Sequence, residues 1–147
     1  MIDQEEKSIE ILLVEDNSTD ALLTEEALAS MIIVNRLHVV GDGLEALLFL
    51  RKQGKYADAS RPNLILLDLN LPVTRGCEVL AELKADKDLK HIPVIILSTS
   101  NQELDVIKAY SLNANCYIVK PVSFHRFREV LQAMGSFWFG VATLPPL

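Results

Sequence analysis

The chain has 147 residues, half of them hydrophobic and 23% charged, which is the size of one ordinary globular domain and the composition of a folded one. Acids outnumber bases 20 to 14, for a formal net charge of -6, so no broad attraction to nucleic acid is available and none is expected as a partner. The opening MIDQEEKSIE is acidic where a secretory signal is basic and then apolar, and no apolar run approaches the ~20 residues that span a bilayer; a cytoplasmic chain with no membrane partner is expected.

Short apolar runs alternate with longer segments of helical period, the pattern of strand and helix units that build a parallel sheet. The first strand is predicted at Ile9 to Glu15, IEILLVE. A helix follows Asn17 and Ser18, either able to cap its free amides, and turns Leu23, Ala27, Leu28 and Met31 toward the sheet. A second strand, Arg36 to Val40, leads through the turn Gly41-Asp42-Gly43 to a helix from Leu44 to about Gln53, stopped by Gly54. That turn lacks the strand-to-helix phosphate fingerprint, so it is no nucleotide cradle. The loop from Tyr56 to Asn63 precedes the third strand, Leu64 to Asp68. A helix from Cys77 to Ala85 packs Val79, Leu80 and Leu83, and the fourth strand is Val94 to Ser98. Ser100 and Glu103 have the spacing of a reciprocal capping box, opening a helix that ends near Leu112. The last strand, Cys116 to Lys120, precedes a helix with Phe124, Phe127, Val130, Leu131, Met134 and Trp138 on its inward stripe.

The first, third and fourth strands are nearly continuous Ile, Leu and Val, as strands covered on both faces are. The expectation is an α/β fold, a doubly wound five-stranded parallel sheet, with residues 1–8 flexible, 9–139 forming the domain and 140–147 a tail. Cys77 and Cys116 are too few for a disulfide framework or a zinc site and are expected reduced and partly buried. His38, His91 and His125 do not pair at ligand spacing.

In an open parallel sheet, ligands bind at the carboxyl ends of the strands. Those ends carry Glu15-Asp16, Asp68, Ser98-Thr99 and Lys120. Crowded carboxylates repel one another unless a cation neutralises them, and oxygen donors of this kind suit magnesium. Lys120 and the Ser98 hydroxyl can each meet an oxygen of a phosphoryl group, which leaves Asp68 to attack it. Each residue alone has an ordinary explanation as a cap, a turn or a surface bend; their placement at successive strand ends is the signal.

On the stretches LLVEDN, DG-EAL, LILLDLNLPVTRG, PVIILSTS and YIVKP, the chain resembles the receiver domains of response regulators from about Ile9 to Trp138. The resemblance implies the flavodoxin-like strand order 2-1-3-4-5, with Asp68 as phosphoacceptor. It makes Asp16 and Asp68 metal carboxylates, Glu15 a residue acting near Mg2+ through water, and the backbone carbonyl of Asn70 a further ligand. Lys120 takes the place of the phosphate-pairing lysine, with Pro121 after a cis peptide bond, while Ser98 and Tyr117 take the switch positions. Glu15 where many members have Asp, and Arg75 before Gly76 where Asp-Gly is common, depart from the pattern. RPNLILLDLNLP and SFWFGVATLPPL resemble the small receivers that partner cyanobacterial phytochromes.

That resemblance implies phosphoryl transfer from a histidine kinase, a phytochrome, and signalling through a downstream protein. Apolar Phe137, Phe139, Val141, Leu144 and Leu147 point to a homodimer through the C-terminal helix and tail. Two other classes compete: a magnesium-dependent phosphatase working through an aspartyl-phosphate, which lacks a segment long enough for a cap, and an inert interaction module, against which the intact set Asp16, Asp68, Ser98 and Lys120 speaks.

Overall fold

The computed structural model describes residues 8–146. The elements run β1 (Ile9–Val14), α1 (Ser18–Ala29), β2 (Asn35–Val40), α2 (Gly43–Leu50), a short 3-10 turn (Gly54–Tyr56), β3 (Leu64–Asp68), α3 (Gly76–Ala85), β4 (Val94–Ser98), α4 (Glu103–Ser111), β5 (Cys116–Val119) and α5 (Phe124–Gly140). All strand pairs are parallel, and the sheet order is β2-β1-β3-β4-β5, as expected.

Side chains alternate across a strand, and here the alternation divides two cores. Leu12, Val14, Ile65, Leu67, Val94 and Ile96 face α2 and α3 through Leu47, Leu50, Val79, Leu80 and Leu83. Ile11, Leu13, Leu64, Leu66, Ile95 and Leu97 face α1 and α5 through Ala27, Leu28, Phe127, Leu131 and Met134. β3 and β4 are buried along their whole length, which explains why they read as unbroken apolar runs. Their carboxyl ends therefore sit on rigid backbone.

Several expected boundaries shift. β1 and β5 stop one residue early, so Glu15 and Lys120 lie on the outgoing loops, but each stays tied to the neighbouring strand, the Glu15 N–H donating to Val40 O at 3.0 Å and that of Lys120 to Ser98 O at 2.7 Å. The Ser100–Glu103 capping box does not form, because α4 begins at Glu103 with Gln102 as its N-cap; Ser100 stands two residues earlier, its hydroxyl accepting from the Gln102 N–H at 3.3 Å and donating to Asp105. The peptide before Pro121 is trans, there being no cis bond among the described residues; trans is the lower-energy isomer unless packing imposes the other.

The stripe on α5 also needs correcting. Phe124, in the first turn, is 62% exposed, lying past the cover the sheet gives to Phe127 and Leu131. Phe139, expected to project elsewhere, is buried. Gly135, one turn before it, has no side chain, and the ring of Phe139 and the thioether of Met31 fill that space. The tail returns along the same domain, with Leu144 against the α1–α5 core and Pro145 and Pro146 beside Arg61, Pro62 and His91. Expected features at residues 1–7 and at Leu147 lie outside the described residues. Among those described, no helix is long and apolar enough to cross a membrane, and both cysteines are free and half-buried.

Candidate functional site

The carboxyl edge of the sheet brings Glu15, Asp16, Asp68, Ser98 and Lys120 together, as the strand ends predict. Glu15, Asp68, Ser98 and Lys120 are the charged or polar side chains buried there, at 4%, 6%, 1% and 7% exposure, while Asp16 is exposed. A buried ion must be paired to be tolerated. The Lys120 ammonium donates to Glu15 Oε1 at 2.6 Å, Asp68 Oδ2 at 2.9 Å and Asp20 Oδ2 at 3.1 Å. The other oxygen of Asp68, Oδ1, accepts from the Asn70 N–H at 2.8 Å, which fixes the carboxylate plane.

The site carries more negative charge than one lysine neutralises. Burial, and next the hydrogen bond and charge of Asp68, push the Glu15 carboxyl from the ordinary 4.5 up to about 7, against the opposite pull of Lys120. Lys120 is itself pulled down by burial, but its bonds to Glu15 and Asp68 outweigh that and raise it above the usual lysine range, so it stays protonated. Oxygens of Glu15, Asp16 and Asp68 lie within 4.8 Å of one another. An all-carboxylate donor set with unneutralised charge fits a hard dication such as Mg2+.

Ser98 and Tyr117 do not touch each other through an observed bond, yet both are tied to Ser100. Ser98 Oγ accepts from the Ser100 N–H at 3.1 Å, and the Tyr117 hydroxyl donates to the Ser100 carbonyl at 2.9 Å. Beside them opens a groove of about 460 Å3 lined by Asn70, Arg75, Cys77, Ser98, Ser100 and Lys108. Arg75 thus shares a groove with Asn70 and Ser98.

Sequence reasoning missed Asp20. It sits in the first turn of α1, where an acidic residue has a sufficient explanation in the helix dipole, and only the packing of α1 against the strand ends aims it at Lys120. None of the three histidines takes part: His38 meets Glu10 at 3.4 Å, His125 meets Glu129 at 3.2 Å, and His91 lines the pocket by the tail.

Residues 11–132 match the family model described as the response regulator receiver domain, and the chain belongs to that family. Receiver domains bind Mg2+ at an acidic pocket, which Glu15, Asp16 and Asp68 form here. More particularly, the chain is related to phytochrome response regulators. It is 49% identical over 135 residues to the response regulator Rcp1 of Synechocystis sp., with 92% of each chain covered. The phosphorylated cyanobacterial phytochrome response regulator RcpA shares 48% identity and superposes with a TM-score of 0.93 over 95% of this chain and 100% of that one. The Mn2+-bound form of Rcp1 gives 48% identity and a TM-score of 0.91, covering 94% and 99%.

Proposed function

We propose that this chain is a phosphoacceptor switch that takes a phosphoryl group from a phosphohistidine of a phytochrome-class histidine kinase onto Asp68 and signals through protein partners. The observation that carries the reading is the buried Lys120 ammonium held against Asp68 Oδ2 at 2.9 Å beside the acidic trio. In this reading Asp68 Oδ2 attacks phosphorus as the P–N bond breaks, and the electron pair of that bond leaves with the imidazole. Lys120 pairs with the transferred oxygens, since it already faces Oδ2, and the Asn70 N–H keeps the carboxylate oriented through Oδ1. Mg2+, held by Asp16 and Asp68 with Glu15 nearby and the Asn70 carbonyl as further ligand, would supply charge neutralisation at the phosphoryl oxygens.

Ser98 and Tyr117 are the switch pair. Both hang on Ser100, so a Ser98 hydroxyl drawn to a phosphoryl oxygen releases the Ser100 N–H and loads the segment whose carbonyl holds Tyr117. The domain is read as residues 9–139 with 140–147 as tail. A homodimer through the C-terminal helix is retained in reduced form: Phe139 and Leu144 serve their own domain, which leaves the exposed Phe137 and Val141 as contact groups.

The reading is tested with acetyl phosphate and Mg2+. One equivalent of phosphoryl per chain is expected, followed by slow hydrolysis of the chain's own phosphoaspartate, whereas rapid multiple turnover of a diffusible phosphate ester would make the chain a phosphatase. Sedimentation of Phe137→Glu checks the dimer: the wild type should sediment as a dimer at micromolar concentration and the variant as a monomer.

A further inference from the structure

Lys120 has three ammonium hydrogens and three carboxylates around it, and the proposed chemistry uses only two of these. Its bond to Glu15 competes with a cation that neutralises Glu15, and its bond to Asp68 Oδ2 is given up when that oxygen is esterified. The third, to Asp20 Oδ2 at 3.1 Å, survives both events. Asp20 is 20% exposed at its side chain and Lys120 5%, so the contact is shielded from water.

The local structure shows why Asp20 is free for this. Asn17 caps α1 by accepting from the Asp20 N–H at 3.0 Å, and an acidic residue at this third helical position commonly turns back to the cap residue's own N–H. Here the Asn17 N–H is directed instead at Glu15 Oε2, at 3.3 Å. Glu15, longer than an aspartate, thus covers the helix end with one oxygen and Lys120 with the other, and the Asp20 carboxylate turns to the lysine. The Asp20 carbonyl is fixed in turn, accepting from the Thr24 hydroxyl at 2.8 Å.

We propose that Asp20 is a positioning residue for phosphoryl transfer, holding the Lys120 ammonium over Asp68 Oδ2 once the metal and the phosphoryl group have taken its other two partners. The proposal rests on the phosphoacceptor reading. In Asp20→Ala at saturating Mg2+, the rate of labelling by acetyl phosphate falls about tenfold, the factor carried by one charge-assisted hydrogen bond. Asp20→Asn, which keeps an acceptor oxygen in the same place and the same helix start, falls between Asp20→Ala and wild type. In a Lys120→Ala background the further change Asp20→Ala costs nothing more, because the group it positions is gone. The nitrogen-15 signal of the Lys120 ammonium in the Mg2+-saturated protein gives a readout independent of phosphorylation: with Asp68 as the remaining partner, its exchange with water is faster in Asp20→Ala than in wild type or Asp20→Asn. Wild-type labelling rates in Asp20→Ala, a slowing that persists in the Lys120→Ala background, or an unchanged ammonium exchange rate would each overturn the role of Asp20. Failure of the wild type itself to label would overturn the phosphoacceptor reading, and the ammonium signal would then decide the Asp20–Lys120 link alone.

Discussion

Glu15 makes the metal-free protein less stable as pH rises, and the size of the effect follows from its surroundings. Its carboxyl ionises at the ordinary 4.5 in the unfolded chain and at about 7 in the fold. Between those values the folded state holds a proton that the unfolded state has released, so stability falls with pH. At 1.36 kcal/mol for each pH interval of one, the loss is about 3 kcal/mol, present in full above pH 7 and absent below about 4.5. Glu15→Gln keeps the shape and carries no ionisable proton. In EDTA, the urea midpoint of wild type relative to Glu15→Gln should therefore drop by about 1.5 M from pH 4.5 to pH 8, taking ~2 kcal/mol per molar urea. Mg2+ binds the folded, ionised site and adds stability by mass action, so its stabilisation of wild type should be larger at pH 8 than at pH 5.5. Parallel pH profiles for the two proteins in EDTA would refute the assignment of the buried proton to Glu15.

Other consequences are simpler. Asp16→Ala should lose most of the thermal shift that Mg2+ gives the wild type, read by differential scanning fluorimetry; equal shifts would remove Asp16 from the donor set. A Cβ at Gly76 would lie 2.6 Å from Leu69 Cα, so Gly76→Ala should destabilise by roughly 1–3 kcal/mol and weaken Mg2+ binding by moving the loop after Asp68, both measured by urea titration with and without the ion. Val73, 78% exposed, holds φ at +66°, a left-handed conformation that costs a β-branched residue about 1–3 kcal/mol; Val73→Gly should recover part of this in chemical denaturation. Leu66, fully buried between the sheet and α1–α5, should cost about 2–5 kcal/mol as Leu66→Ala.

Strand identity was legible because the middle of the sheet is covered on both faces, so β1, β3 and β4 are nearly continuous Ile, Leu and Val; the strand order came with the family resemblance. The site followed from the same fact: a polar residue ending such a run can only stand at the rim, which located Glu15, Asp68, Ser98 and Lys120. What the sequence hid depends on three-dimensional neighbours. Asp20 has a local explanation as a first-turn acid, and nothing in the spacing of residues 15 and 20 indicates that both reach an amine 100 residues further on. The burial of Phe139 depends on the missing side chain at Gly135, a vacancy visible only when α1 lies against it. Ser100 has the spacing of a capping box with Glu103, yet the helix starts only at Glu103, and the Ser100 hydroxyl accepts from the Gln102 N–H and donates to Asp105 instead.

The central claim is that Asp68 is the atom-bearing acceptor, and intact-mass measurement after treatment with acetyl phosphate and Mg2+ tests it most directly. Wild type should gain one phosphoryl group, lost on treatment at alkaline pH, and borohydride reduction of the product should mark residue 68 in the peptide map, while Asp68→Asn, folded by circular dichroism, should gain none. A full equivalent of phosphoryl on Asp68→Asn, or a reduced residue mapped to another position in wild type, would contradict the account.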